Sequence, residues 1–390
     1  MYNILTYNNI SETGLRNYPR ANYTISKEMP NPDALMVRSA PLNDMIFPSN
    51  LKVIARVGAG FNTIPIERCT NAGICVFNTP GGNANAVKEM TLAAMITIMR
   101  RVDAAREWLK GLEPSERSYG KAVEMGKEMF TGPEILGKQI GILGLGAIGS
   151  RMAKACSDLG MTVVGYDPYL THIRKNELSQ FVKFVDDPEE LYKTSDVVTV
   201  HVPLEPATRG MVGKKQLGLM KTGSYLLNYA RGPIVDNDAV VEALEAGKLK
   251  AYATDFPTEA EIVRDDCFCT PHLASGTPEA EENCAVMAVR QTRDYLENGN
   301  ISHSVNFPDV SFARADGDRI TILHKNKVGM LGNITEKCAA MGLNIENLVN
   351  KARGDIAYTI LDFNDTIPEE LGKALEEIDS VIKVRIIPAQ

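Results

Sequence analysis

The chain has 390 residues, 44% hydrophobic and 23% charged, with a formal net charge of −7. This is the composition of a soluble globular protein of two or three domains, and the negative balance excludes a dominant nucleic-acid surface while leaving room for a local basic pocket. Seven cysteines form an odd set with no CxxC pair, Cys267 and Cys269 being separated by one residue. Neither a disulfide scaffold nor a metal site is expected, and a reducing, cytoplasmic setting is. MYNILTYNN lacks the basic start and long apolar core of a signal peptide, and the apolar-rich stretch near residues 90–99 is too short and too polar to span a bilayer, so no membrane partner is expected.

Residues 1–90 alternate short apolar runs with turn-rich segments. The runs YNILTY, ALMVRS, LKVIARVG and ICVFNTP each suit a strand buried in an α/β sheet. From Asn85 to Leu109 the pattern changes: VKEMTLAAMITIMRRVDAAREWL has no Gly or Pro and is rich in Ala, Met and Leu, which predicts one long helix. Its first half is apolar on most faces, implying burial on several sides, either in a subunit interface or between two domains. After an irregular polar segment, QIGILGLGAIGSRMAKACSDLG opens a second α/β block. Its strands IGILGLG, TVVGYDP, KFVDD, VVTVHVPL, YLLNYARG and AYATDFP alternate with helix-like stretches, an order that predicts a parallel, doubly wound sheet.

A further helix, roughly Pro278 to Asn298, is expected to return the chain to the first block, followed by FPDVSFARADGD as a linker. Residues 319–390 then read strand, helix, strand, strand, helix, strand, the βαββαβ order of a ferredoxin-like unit. The expected architecture is α/β: two doubly wound parallel-sheet domains of Rossmann or flavodoxin-like type and a C-terminal βαββαβ domain. The expected boundaries are 1–90 with 285–306, then 91–284, then 319–390.

Gly144-Leu145-Gly146-Ala147-Ile148-Gly149 is a GxGxxG motif placed between a predicted strand and a predicted helix. The first glycine permits a tight turn, the second lets backbone approach a pyrophosphate, and the third allows close helix–strand packing. The helix start, with Ala147 and Ile148, offers N–H groups and a positive dipole end to the phosphates. Asp167 ends the next strand, 18 positions after Gly149. A carboxylate there accepts hydrogen bonds from ribose hydroxyls and repels a 2′-phosphate, so the expected cofactor is NAD rather than NADP.

NYARGPIVD, ATDFPTE and TPHLASG each follow a predicted strand, at the end of the sheet where ligands gather. Arg231 can bind a substrate carboxylate as a fork and polarise the neighbouring carbonyl. His272 can take the proton of a hydroxyl while hydride leaves the same carbon. Glu259 can orient the imidazole and favour its protonated form.

With GxGxxG, a later Asp, NxARG and TPH in this order, residues 1–305 resemble the D-isomer-specific 2-hydroxyacid dehydrogenases. The resemblance implies the roles given above for Arg231, Glu259 and His272, and a cofactor-side location for Ala230 and Asp255. Two departures stand out. ATDFPTEA is one residue shorter than the usual DVFxxEP, with Ala260 in place of Pro, and Glu261 lies close enough to compete with Glu259.

RSA at 38–40, RVGAGFN at 56–62 and NTPGGNANAVKE at 78–89 resemble the substrate loops of the phosphoglycerate dehydrogenase branch. That resemblance implies that Arg38, Arg56 and Gly58, with Arg231 and His272, bind D-3-phosphoglycerate; a phosphate dianion calls for such convergent cations. Lys127 could add a charge from a neighbouring subunit. The tail resembles the amino-acid-sensing ACT domains, and the resemblance implies that His324, Asn326 and Asn344 bind L-serine between subunits of a homodimer or homotetramer. The alternatives are solvated turn residues at these three positions, a dehydrogenase of glyoxylate, hydroxypyruvate or D-lactate, and a non-catalytic NAD-sensing protein. Of the other candidates, His201 is expected to line the cofactor cleft structurally and His172 and His303 to be solvated. Cys156, Cys284 and Cys338 read as core, and Glu279, Glu281 and Glu282 as an exposed helix start.

Overall fold

The short apolar runs become the strands of two parallel sheets. The structure, a computed structural model, describes residues 1–112 and 119–389. They form two units, Met1–Asn83 with Pro278 onward, and Ala84–Thr277. The divisions fall at helix starts, so that each long helix stays whole in one unit: Ala84–Met99 in the second and Pro278–Asn298 in the first. The third expected domain is not separate; it clusters with the first sheet.

In the first unit, β1 (Tyr2–Tyr7), β2 (Tyr23–Ser26), β3 (Ala34–Val37), β4 (Val53–Arg56) and β5 (Cys75–Phe77) form a parallel sheet in the order 2-1-3-4-5. This is the flavodoxin-like order. Strand β2, YTIS, was not expected from sequence: it is an edge strand with two exposed residues, and so lacks a sustained apolar run. Ala285, Ala288, Val289 and Leu296 of the helix Pro278–Asn298 share a core with Ile4, Met36 and Ala55 of this sheet.

The second unit carries β6 (Gln139–Leu143), β7 (Thr162–Tyr166), β8 (Lys183–Phe184), β9 (Val197–Val200), β10 (Ser224–Asn228), β11 (Leu249–Thr254) and β12 (Cys267–Cys269). The order is 12-11-10-9-6-7-8, all parallel. The winding reverses between β6 and β9, and a crevice opens at the carboxyl ends of strands at such a reversal. The single helix expected over Asn85–Leu109 is in fact two, Ala84–Met99 and Val102–Lys110. Arg101 breaks it with φ 51° and ψ 35°. The apolar burial of the first helix ends at Met99, and the Arg101 guanidinium turns to the Met129 carbonyl and the Phe130 ring.

The tail forms β13 (Arg319–Lys325), a helix Met330–Ala340, β14 (Ile345–Arg353), β15 (Ile356–Phe363), a helix Glu369–Glu376 and β16 (Val381–Ile387). Its antiparallel sheet has the order 14-15-13-16, the expected βαββαβ topology. Ile320, Ile322 and Leu361 pack against Ile334, Leu371 and Leu375 of its own helices, whereas Leu323, Tyr358 and Ile360 join the core under the first sheet. FPDVSFARADGD is therefore not a free linker. Arg385 donates to the carbonyls of Tyr295 and Leu296, Arg314 to that of Glu297, Arg319 to that of Asn298, and the Tyr358 hydroxyl to that of Gly299. A helix end leaves its last carbonyls short of partners, and the tail adds donors here; Tyr295 also keeps the Gly299 N–H and Leu296 also accepts the Tyr2 hydroxyl.

Arg319 and Asp362 complete this junction as a fully buried fork, with Nε to Oδ1 at 2.6 Å and the second pair at 2.9 Å. Removing one member leaves an uncompensated buried charge, which costs about 3–5 kcal/mol. Asp362→Ala is expected to lower stability by that amount in urea unfolding, and Arg319→Met with Asp362→Leu together to cost much less.

Candidate active site

Strand β6 delivers the chain into the glycine turn. Gly144 has φ 85°, a left-handed conformation, and a Cβ there would lie 2.9 Å from the His201 carbonyl carbon. Gly149 packs so closely that its Cβ would meet the Gly144 carbonyl oxygen at 1.9 Å. Gly146, by contrast, faces open space, with nothing within 4 Å of a built Cβ. The helix Ala147–Asp158 begins here, and the N–H groups of Ala147, Ile148 and Gly149 precede its first helical bond, from Ser150 to Gly146. They are the donors a pyrophosphate takes. The Asp167 carboxylate is fixed over the turn, accepting from the Leu145 N–H at 2.9 Å and the Tyr169 N–H at 3.0 Å. Open space, early helix amides and an aligned carboxylate fit a dinucleotide with a free ribose diol. His201, at the end of β9, holds Thr199 Oγ1 with Nε2, and burial pushes its pKa down to about 4, so it borders the turn as a neutral ring.

The next three strand ends are tied together. Asn228, fully buried at the end of β10, accepts from the Ala230 N–H with Oδ1 and donates from Nδ2 to the Arg231 carbonyl. Its own carbonyl accepts the Asp255 N–H at 3.2 Å, and the Asp255 carbonyl accepts the His272 N–H at 3.0 Å. Arg231, Asp255 and His272 thus lie on one backbone network. The Arg231 guanidinium is half-buried with one donor on the Ala230 carbonyl, and burial draws its pKa down. His272 is exposed, has φ 53°, and sets its ring 4.7 Å from that of Phe256.

The two carboxylates differ sharply. Glu259 is exposed on the first turn of the short helix Glu259–Ile262, and among the described residues no hydrogen bond joins it to His272. Glu261 is fully buried, accepting the Thr258 N–H at 2.7 Å as a helix cap, with Oε1 unpartnered. Asp255 is 2% exposed and both its oxygens accept donors of the 270–274 turn. Asn228 and this use of Asp255 were not foreseen. NxARG advertises the asparagine, but nothing in the sequence says which backbone groups it serves.

In the first unit, Arg38 follows β3 and Arg56 ends the neighbouring β4. Arg38 pairs with Glu281 at 2.5 Å, while Arg56 donates to the Val57 carbonyl and lies across Gly58, where a Cβ would collide with the guanidinium. Lys127 sits in an exposed pair with Glu124. In the tail, Asn326 and Asn344 are exposed, but His324 is 2% exposed. Its ring nitrogens are both engaged, with the Lys325 carbonyl at 2.8 Å and Thr359 Oγ1 at 2.9 Å. The expected trio is therefore not an open pocket: two amides face solvent and the imidazole faces inward. His172 and His303 are exposed, and Cys156, Cys284 and Cys338 are buried.

Residues 92–274 match the model of the D-isomer specific 2-hydroxyacid dehydrogenase, NAD binding domain. A D-3-phosphoglycerate dehydrogenase of Haemophilus influenzae is 32% identical over 341 residues, 84% of this chain and 79% of the relative. The chain belongs to the D-isomer specific 2-hydroxyacid dehydrogenase family. Another dehydrogenase of this kind, the D-3-phosphoglycerate dehydrogenase of Methanocaldococcus jannaschii, is 34% identical over 71% of this chain. The chain spans about half the length of that relative, 52%. Among solved structures, the NAD+-bound 3-phosphoglycerate dehydrogenase of Entamoeba histolytica aligns at 25% identity with a TM-score of 0.61, covering 78% of this chain and 98% of the other.

The glycine turn makes a two-sided prediction. Gly146→Ala adds a methyl where the dinucleotide approaches; it is expected to leave thermal unfolding unchanged while weakening NADH affinity by roughly tenfold, or ~1.4 kcal/mol, in a fluorescence titration. Gly149→Ala forces the helix off the strand and is expected to cost ~1–3 kcal/mol of stability.

Proposed function

We propose that this protein is an NAD-dependent dehydrogenase that oxidises D-3-phosphoglycerate to 3-phosphohydroxypyruvate, the first step towards L-serine. The observation that carries the reading is the network binding the Arg231 and His272 loops together at the carboxyl ends of β10 to β12, in the same sheet as the glycine turn. NAD, when bound, supplies the hydride acceptor. Arg231 grips the substrate carboxylate and polarises the C2 oxygen. His272 accepts the C2 hydroxyl proton as that carbon is oxidised, and returns it in reverse. Glu259 is the carboxylate assigned to steady the imidazole, because Glu261 is buried and committed to capping Thr258.

The names of the relatives support the phosphorylated substrate, and so does the placement of Arg38 and Arg56 at the carboxyl ends of the neighbouring strands β3 and β4. A second reading, an unphosphorylated acid such as glyoxylate, draws support from the Arg38–Glu281 pair, which already neutralises one of the two cations. The βαββαβ tail supports an ACT-like role with L-serine as inhibitor; Asn326 and Asn344 are open to it, and His324 joins only if its ring leaves Thr359. A homodimer or homotetramer is supported by the helix Val102–Lys110, which buries none of its residues and exposes Val102 and Leu109.

An NADH-linked assay with D-3-phosphoglycerate, D-glycerate and glyoxylate, with and without L-serine, tests the substrate and the inhibition. The phosphorylated acid is expected to win in kcat/KM, and Arg38→Ala to erase only that preference. Equal kcat/KM for D-glycerate would defeat the substrate, and full activity at tens of millimolar serine the inhibition. His272→Asn is expected to lower kcat by ~10²–10⁴-fold with NADH affinity retained.

A further inference from the structure

We propose that Asp255 is a positioning residue for His272. Its carboxylate clamps the Thr270–Ala274 turn and holds the histidine backbone in a conformation that the turn does not favour unaided. Strand β11 ends at Thr254, and Asp255 is the first residue beyond it. There the side chain is 2% exposed and turned inward. Oδ1 accepts the Thr270 hydroxyl at 2.5 Å and the Leu273 N–H at 2.7 Å, and Oδ2 accepts the Ala274 N–H at 2.9 Å. The Asp255 carbonyl takes the His272 N–H itself at 3.0 Å. One residue therefore holds donors on both sides of His272 and the amide of His272 as well.

The conformation so held is the uncommon one. His272 has φ 53°, in the left-handed region that non-glycine residues seldom occupy without support. Only a carboxylate presents acceptors to all three side-chain-bound donors. An asparagine has one oxygen, so one of the two backbone amides would face its NH2. The charge-assisted bonds go to the turn, and in this arrangement Asp255 governs the direction of the imidazole by way of the backbone.

The inference rests on reading His272 as the proton-transfer group, and the test separates the two. Asp255→Asn, Thr270→Val and His272→Asn are compared for kcat, KM, NADH affinity by fluorescence titration, thermal unfolding, and hydrogen exchange of the segment 270–277. Asp255→Asn is expected to lower kcat roughly tenfold or more, since small misplacements of a reacting group are costly. NADH affinity should stay within about twofold, with faster exchange at Leu273 and Ala274. Thr270→Val, which removes one donor, should lower kcat by roughly threefold with NADH affinity unchanged, and it decides the matter should the first variant not fold. Unchanged kcat in a folded Asp255→Asn, or a loss of NADH affinity as large as the loss of kcat, would overturn the inference while His272→Asn remained inactive. Full activity of His272→Asn would remove the premise and overturn both readings.

Discussion

The hydrogen bonds of Asn228 are the constraint on which the rest of the site depends. A parallel strand ends with backbone groups that the ladder no longer satisfies, and at a ligand-binding edge those groups must be paired without filling the crevice. A single fully buried amide side chain does this for the turn after β10, and its main-chain oxygen extends the pairing to β11. Through Asp255 the same chain of bonds reaches the loop after β12. Three strand ends that are separate in sequence become one hydrogen-bonded rim, which carries Arg231 and His272.

The division of labour among acidic groups follows from burial. Asp167 and Asp255 have backbone donors on both oxygens, Glu261 is sealed in as a cap, and Glu259 is left in solvent. Carboxylates that hold structure are satisfied by N–H groups at fixed distances, and Glu259 is not used in that way. Spacing alone cannot distinguish these duties, because Glu259 and Glu261 flank the same short helix.

What was legible in the sequence is what local pattern controls. GxGxxG between a strand and a helix, the acidic residue after β7, and the βαββαβ order of the tail all rest on periodicity and glycine, and the two sheets and the tail topology follow from them. The rest depends on partners far away in the chain. Arg101 interrupts a run of good helix formers, and its guanidinium meets residues 129 and 130, far along the chain. Strands β2 and β12 are edge strands with too few buried residues to announce themselves. His324 looked like a turn residue open to ligand, yet the neighbouring strand supplies Thr359 to its ring. FARADGD has the composition of a linker, and nothing in it reveals that Arg314 closes on Glu297 and Ile387.

The arginines that cap the helix Pro278–Asn298 have a consequence for how such a protein could have been assembled in evolution. A domain joined by a flexible tether can be gained, lost or exchanged as a cassette, because neither side relies on the other's atoms. Here five successive carbonyls, from Tyr295 to Gly299, accept donors from the chain beyond the helix, those of Tyr295 and Leu296 in addition to the Gly299 N–H and the Tyr2 hydroxyl, and helix and tail share an apolar core. Once such a seam has formed, loss of the tail would expose apolar surface and take away the donors of the Glu297, Asn298 and Gly299 carbonyls, so the tail could not readily be shed. The tail is thereby retained for reasons of folding, apart from any ligand it binds.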